Sequence, residues 1–239
     1  MALPKINTPI YELEIPSTGK KIRYRPFLVK EEKVLIIAME SEDPKQMASA
    51  VKDVISNCIL SRGIKVNELA TFDIEYLFLN IRGKSVGEDL DVNIICPDDK
   101  ETEVKITISL DDIQCVKDPD HSNKIKLDDK LMMEMKYPSL DEFIKTNFDM
   151  QEQNQMEQSF DLIAQCIDKV YNADEVWATE DCTKKELSDF LESMNSAQFK
   201  EIEGFFTTMP KLSHTVMVTN PKTKVESEVV LEGLASFFA

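Results

Sequence analysis

The chain has 239 residues and a formal net charge of −16, from 28 Lys and Arg against 44 Asp and Glu, with 42% hydrophobic and 30% charged residues. That apolar content excludes wholesale disorder and suffices for one large or two small domains, while the negative balance disfavours nucleic acid and anionic lipid, leaving solubility alone or a basic protein partner. The opening MALPKINTPI lacks a signal-peptide core and the longest aliphatic run, residues 34–39, is far too short to span a bilayer, so the protein is expected in the cytosol where it is made, with its five irregularly spaced cysteines reduced.

Tyr11, Leu13 and Ile15 alternate with Glu12 and Glu14, the period of a half-buried strand. Pro16 and Gly19 then favour a hairpin turn, and the return strand places Lys21, Arg23 and Arg25 on one face and Ile22 and Tyr24 on the other. Pro26 ends that strand, and a helix is expected just beyond it, running to about Ser41. Asp43 and Pro44 form an N-cap and N1 pair for a second amphipathic helix carrying Met47, Val51, Val54, Ile55, Cys58 and Ile59 as far as Arg62. A third is predicted from Thr71, with Ile74, Leu77, Phe78 and Ile81 on one face and Gly83 as its stop.

From Glu88 the period changes to two. Leu90, Val92 and Ile94, a Cys-Pro-Asp-Asp-Lys-Glu turn, and Val104, Ile106, Ile108 and Leu110 make a second hairpin; a short strand follows over residues 131–137. Ser139-Leu140-Asp141-Glu142 and Thr183-Lys184-Lys185-Glu186 both fit the capping box, so residues 139–209 read as helical. Within them Met156, Phe160, Ile163, Ile167 and Val170 step by four and three as a packing seam; Leu187, Phe190, Leu191 and Met194 form a stripe, and Phe199, Ile202, Phe205 and Phe206 precede the stop at Pro210. The tail is a further hairpin, with Pro221 placed as Pro97 is in the second one, a weak sign of internal duplication. Leu231, Leu234, Phe237 and Phe238 would stripe a terminal helix too short to stand alone, which must dock on its own body or on a partner.

No residue pattern specifies chemistry. Gly83-Lys84-Ser85 copies the end of a phosphate-binding loop, but the motif's first glycine would fall at Phe78 and a helix precedes it. Asp118, Asp120 and Ser122 have calcium-loop spacing without the turn glycine or flanking helices. Cys96 begins a turn shaped like half of a zinc ribbon, yet Asp99 stands where a second thiolate belongs and the tail hairpin has Thr219, Asn220 and Pro221 and no cysteine. Neither His121 nor His214 falls in a nucleophile–base arrangement. No catalytic residue, cofactor site or metal site is assigned.

The Pro-Ser-Thr-Gly-Lys-Lys turn at residues 16–21, the Arg-Pro-Phe step at 25–27 and the Glu-Glu-Lys helix start at 31–33 resemble the opening of the baseplate protein family of T-even-type contractile-tailed bacteriophages; the closing stretch with Gly233, Leu234, Phe237 and Phe238 is similar too. That resemblance implies a baseplate hub or hub-assembly protein without enzymatic activity, present in the host cytoplasm during assembly and in the virion tail. Its partners would be other phage baseplate or tail proteins, with no nucleic acid, membrane or small-molecule substrate; a transient hub chaperone absent from the mature virion is the alternative. A hydrolase or metal enzyme in residues 88–137 is the competing class and requires Cys96, Cys115 and His121 to converge. The expected fold is α+β: an N-terminal hairpin with three helices (1–87), a mainly antiparallel β region (88–138), a helical region (139–209) and a C-terminal hairpin with a short terminal helix (210–239), forming one or two compact domains. Candidate contact residues are the basic strip Lys21, Arg23 and Arg25, the seam Met156, Phe160, Ile163 and Ile167, and the terminal Leu234, Phe237 and Phe238.

Overall fold

Two antiparallel strands, β1 (Tyr11–Glu14) and β2 (Lys21–Tyr24), open the fold and pair in the register that sets Tyr11 against Tyr24 and Glu14 against Lys21. This computed structural model describes residues 6–140 and 155–233, apart from the side chains of Pro44 and residues 155–158. Gly19, at φ 67°, donates its N–H to the Ile15 carbonyl at 2.8 Å, so the turn needs the glycine the sequence supplies there. Asp73, fully buried, accepts from both the N–H and the hydroxyl of Ser17, which ties this turn to the start of a helix 56 residues away.

The chain divides into two compact units: residues 1–66, 72–116 and 210–239 form the first, and 67–71 and 117–209 the second. In the first unit, the hairpin is followed by α1 (Val29–Glu40), α2 (Pro44–Cys58) and α3 (Thr71–Val86). The Asp43 carboxylate accepts from the Lys45 N–H at 2.9 Å, the N-cap expected for α2. α2 stops at Cys58, short of the predicted Arg62, because the next residues bond to β2: Arg25 N–H reaches the Cys58 carbonyl at 3.0 Å and Leu60 N–H the Arg23 carbonyl at 2.8 Å. Gly83 does not end α3. It lies inside the helix, where a Cβ would meet Leu110 Cδ1 at 2.9 Å, and the helix ends instead before Gly87, at φ 142°. Glycine serves close packing at the first position and chain reversal at the second.

β3 (Asp89–Ile95) pairs with β4 (Glu103–Ser109), and the tail strands β10 (Lys211–Thr219) and β11 (Glu226–Glu232) pair in turn, β10 also taking the short β5 (Gln114–Val116) on its other side. One core lies under both hairpins, built from Leu79, Leu90, Val92, Ile94, Ile108, Leu212, Val218 and Leu231 among others.

The second unit holds a four-stranded antiparallel sheet in the order β6 (Lys124–Lys126), β7 (Met132–Met135), β8 (Ile167–Tyr171), β9 (Val176–Ala178), covered by α4 (Gln155–Gln165), α5 (Lys184–Glu192) and α6 (Ser196–Thr208). Residues 139–209 are therefore not helical throughout. α4 ends at Gln165, and Ile167 and Val170 belong to β8, where both are buried and Val170 pairs with Met133. Four-and-three spacing continued past the helix end by coincidence: three apart, positions 167 and 170 would face opposite sides of a regular strand, and the register shift opposite Glu134 and Met135 lets both be buried. The capping boxes at Thr183 with Glu186 and at Asn195 with Gln198 form; the one begun at Ser139 runs outside the described residues.

Candidate interaction surfaces

The two Pro-containing hairpin tips of the first unit are built alike. Lys100 N–H donates to the Cys96 carbonyl and Lys224 N–H to the Asn220 carbonyl, each at 2.9 Å, and Lys100 (φ 57°) and Lys224 (φ 66°) both adopt positive φ. They also interlock. The Asn220 amide, 1% exposed, donates to Asp98 and Asp99 at 2.9–3.0 Å, and the Thr223 hydroxyl donates to Asp98 at 2.5 Å. Hydrogen bonds thus join the two tips. Among the described residues no group of three or more His, Cys, Asp or Glu is arranged to hold an ion. Burial and the neighbouring Asp98 and Asp99 push the Cys96 thiol up, and burial with Asp73 and Glu75 pushes Cys115 up to about 12, so neither is an activated nucleophile.

His121, in the second unit, has both ring nitrogens occupied. Thr208 donates its hydroxyl to the Gly204 carbonyl, so it accepts from Nδ1–H at 2.9 Å, which leaves Nε2 to accept from the Tyr137 hydroxyl at 2.9 Å. The ring also stacks on Tyr137 and lies against Phe205. Burial, then the Lys117 charge, lower its pKa against the opposing pull of Asp118. A histidine kept neutral in the fold adds stability above its unfolded value near 6.5 and loses it as pH falls below that value. Denaturation midpoints of the native chain should therefore fall between pH 7.5 and 5.5 by more than those of His121→Gln, and equal falls would contradict this placement.

The candidate contact residues occupy different settings in the fold. Lys21 and Arg23 are exposed and face Glu14 and Glu12 across the hairpin. Arg25 is turned inward: its guanidinium bonds Glu31 at 2.8 Å, with side chains 13% and 3% exposed. Burial by itself would raise the Glu31 carboxyl, but hydrogen bonds from Arg25, the Leu28 N–H and Lys30 outweigh it and hold its pKa at about 2. Ile163 and Ile167 are buried in the second core, and the half-buried Phe160 stacks on Phe199 with centroids 5.2 Å apart. The Met156 side chain and all of Leu234, Phe237 and Phe238 lie outside the described residues.

Exposed apolar surface occurs where the spacing did not point. α1 buries only Glu31 and Ala38, and exposes Val29 (79%), Val34 (43%), Ile36 (49%), Ile37 (54%) and Met39 (63%). The available signal was the unbroken aliphatic run at 34–39: it is longer than one helix face, so some of it must point outward. In the second unit, Val176 (64% exposed) and Trp177 (42%) lie on β9, an edge strand, and Trp177 borders an apolar cleft of about 390 Å³ with Leu131, Ile167, Val170, Leu187 and Phe190. None of the described helices is long and apolar enough to cross a membrane.

Comparison with the curated proteins and with the solved structures returns no match. A family model described as T4 bacteriophage base plate protein matches residues 8–239, nearly the whole chain. An α+β chain matched over that length belongs to the T4 bacteriophage base plate protein family.

Proposed function

We propose that this chain is a structural or assembly component of the phage baseplate hub, acting through protein–protein contacts and without enzymatic chemistry. The observation that carries this reading is the exposed β9 edge beside its apolar cleft: an edge strand offers unpaired backbone groups, and an adjoining pocket takes side chains of an added strand. The occupant is an extended segment of another baseplate protein. Raised cysteine pKa values and a fully engaged His121 support binding over catalysis.

Co-expression with the other tail and baseplate proteins of its genome, followed by pull-down and native mass spectrometry, tests this. The native chain should be recovered in a defined complex, and Trp177→Glu, at an exposed position, should lose it by at least about tenfold while keeping its circular dichroism spectrum. A folded native chain that captures none of these proteins would defeat the reading. Mass spectrometry of purified virions then separates a resident component, present in the particle, from an assembly chaperone that leaves it.

A further inference from the structure

α1 carries an unpartnered stripe that is complementary to itself, and we propose that it is the contact by which a second copy of this chain docks, antiparallel, about a two-fold axis passing between Ile36 and Ile37. The proposal rests on the reading that the protein works through contacts, but concerns a different surface and a different partner. At about 100° per residue, the direction opposite the buried Glu31 and Ala38 is shared by Val29, Lys33, Ile36, Ile37 and Glu40. All five are exposed. Neither Lys33 nor Glu40 has an ion-pair partner in its own chain among the described residues. Seven residues apart, they are about 10 Å from each other along the helix and do not meet.

Turning a second α1 through 180° about the axis between Ile36 and Ile37 sets Lys33 of each copy opposite Glu40 of the other, because 33 and 40 are equidistant from that axis. By the same symmetry Ile36 of each copy meets Ile37 of the other. The charge arrangement answers a defect in the isolated helix. Glu40 sits in a last turn that has no basic residue, where the helix dipole disfavours a carboxylate, and Lys33 of the second copy would neutralise it there. An isologous contact of this kind closes after two copies. The net charge of −16 opposes association, and one helix of about 18 Å makes a small interface, so the dimer is weak and forms at physiological rather than low salt.

Sedimentation equilibrium of the purified full chain over a wide concentration range at about 0.15 M salt provides the test. The expected result is a mass rising to twice that of the monomer. Lys33→Glu and Glu40→Lys should each weaken the dimer at least about tenfold, and the double charge swap should restore it. All three variants change exposed positions and are verified as folded by circular dichroism. A mass that stays monomeric throughout, a dimer indifferent to the single swaps, or single swaps not rescued by the double would each overturn the proposal. Because only this chain is present, those results leave the baseplate pull-down unaffected, and failure of the pull-down leaves the dimer measurement standing.

Discussion

Replacing Arg25 by methionine is expected to lower unfolding free energy by about 3–5 kcal/mol, the usual consequence of leaving one partner of a buried ion pair behind. Glu31 is the partner left, at 3% exposure, and it then keeps only the Leu28 N–H and the exposed Lys30, whose ammonium lies at 3.2 Å. The effect has a pH signature. Glu31 has a folded pKa of about 2, depressed below its ordinary 4.5, so its contribution is fully present above 4.5 and is lost as pH falls toward 2. The variant lacks the main cause of that depression, and its deficit against the native chain should narrow across the same window. Urea denaturation at pH 7 and pH 3 reads both quantities. A deficit below about 1 kcal/mol at pH 7, or one that widens on acidification, would show that the pair does not hold α1 to β2. Changing both residues to apolar ones of similar size should cost much less than changing Arg25 alone, because no charge is then stranded.

Asn220→Ala should cost about 2–3 kcal/mol, since it removes a buried amide that donates to charged acceptors and leaves backbone donors without their partner. Asn220 joins the C-terminal hairpin to the β3–β4 tip, donating to Asp98 and Asp99 while its own carbonyl accepts from the N–H groups of Lys222 at 2.8 Å and Thr223 at 3.3 Å. Both carboxyls are held below the usual range, Asp98 first by Asn220 and then Thr223, Asp99 first by Thr102. They remain ionised around neutrality. Asn220→Asp should therefore be worse than alanine at pH 7, because a third carboxylate enters the cluster, and the excess should shrink in high salt. Thermal melts of the two variants at low and high salt give the comparison. An aspartate variant as stable as the native chain would mean that the two tips are joined by packing and not by this amide.

Charge and aliphatic content bear differently on the two contact surfaces. The α1 stripe is legible only when exposure is known, because a helix with apolar residues on several sides could equally be a buried one. Lys21 and Arg23 read as a basic strip that could engage an acidic partner or neutralise the chain's own carboxylates, and their register sets them opposite Glu14 and Glu12. Such cross-strand opposite-charge pairs are worth a fraction of a kcal/mol. Arg25, two residues on, differs because Pro26 turns the chain and brings the start of α1 over its guanidinium, changing an apparent surface cation into half of a buried pair.

Local chemistry alone determined the features that depend on neighbours in sequence. Period-two alternation set β1 through β4 and the tail hairpin, proline and glycine set the first turn, and side-chain caps began α2, α5 and α6. Residues 16–21, 25–27 and 31–33 were also enough to point to the baseplate family whose model matches residues 8–239. Only the tertiary structure decided which strands pair beyond the three hairpins, that Ile167 and Val170 leave the helix for β8, that β5, β6 and β9 exist at three residues each, and that Gly83 accommodates Leu110 instead of ending α3. Short strands have too few residues for periodicity to register, and their stability comes from partners distant in the chain: β5 from β10 and β8 from β7. The same holds for exposure. A residue's side chain is outward or inward according to what packs over it, and that is a property of the assembled units, which spacing along the chain does not encode.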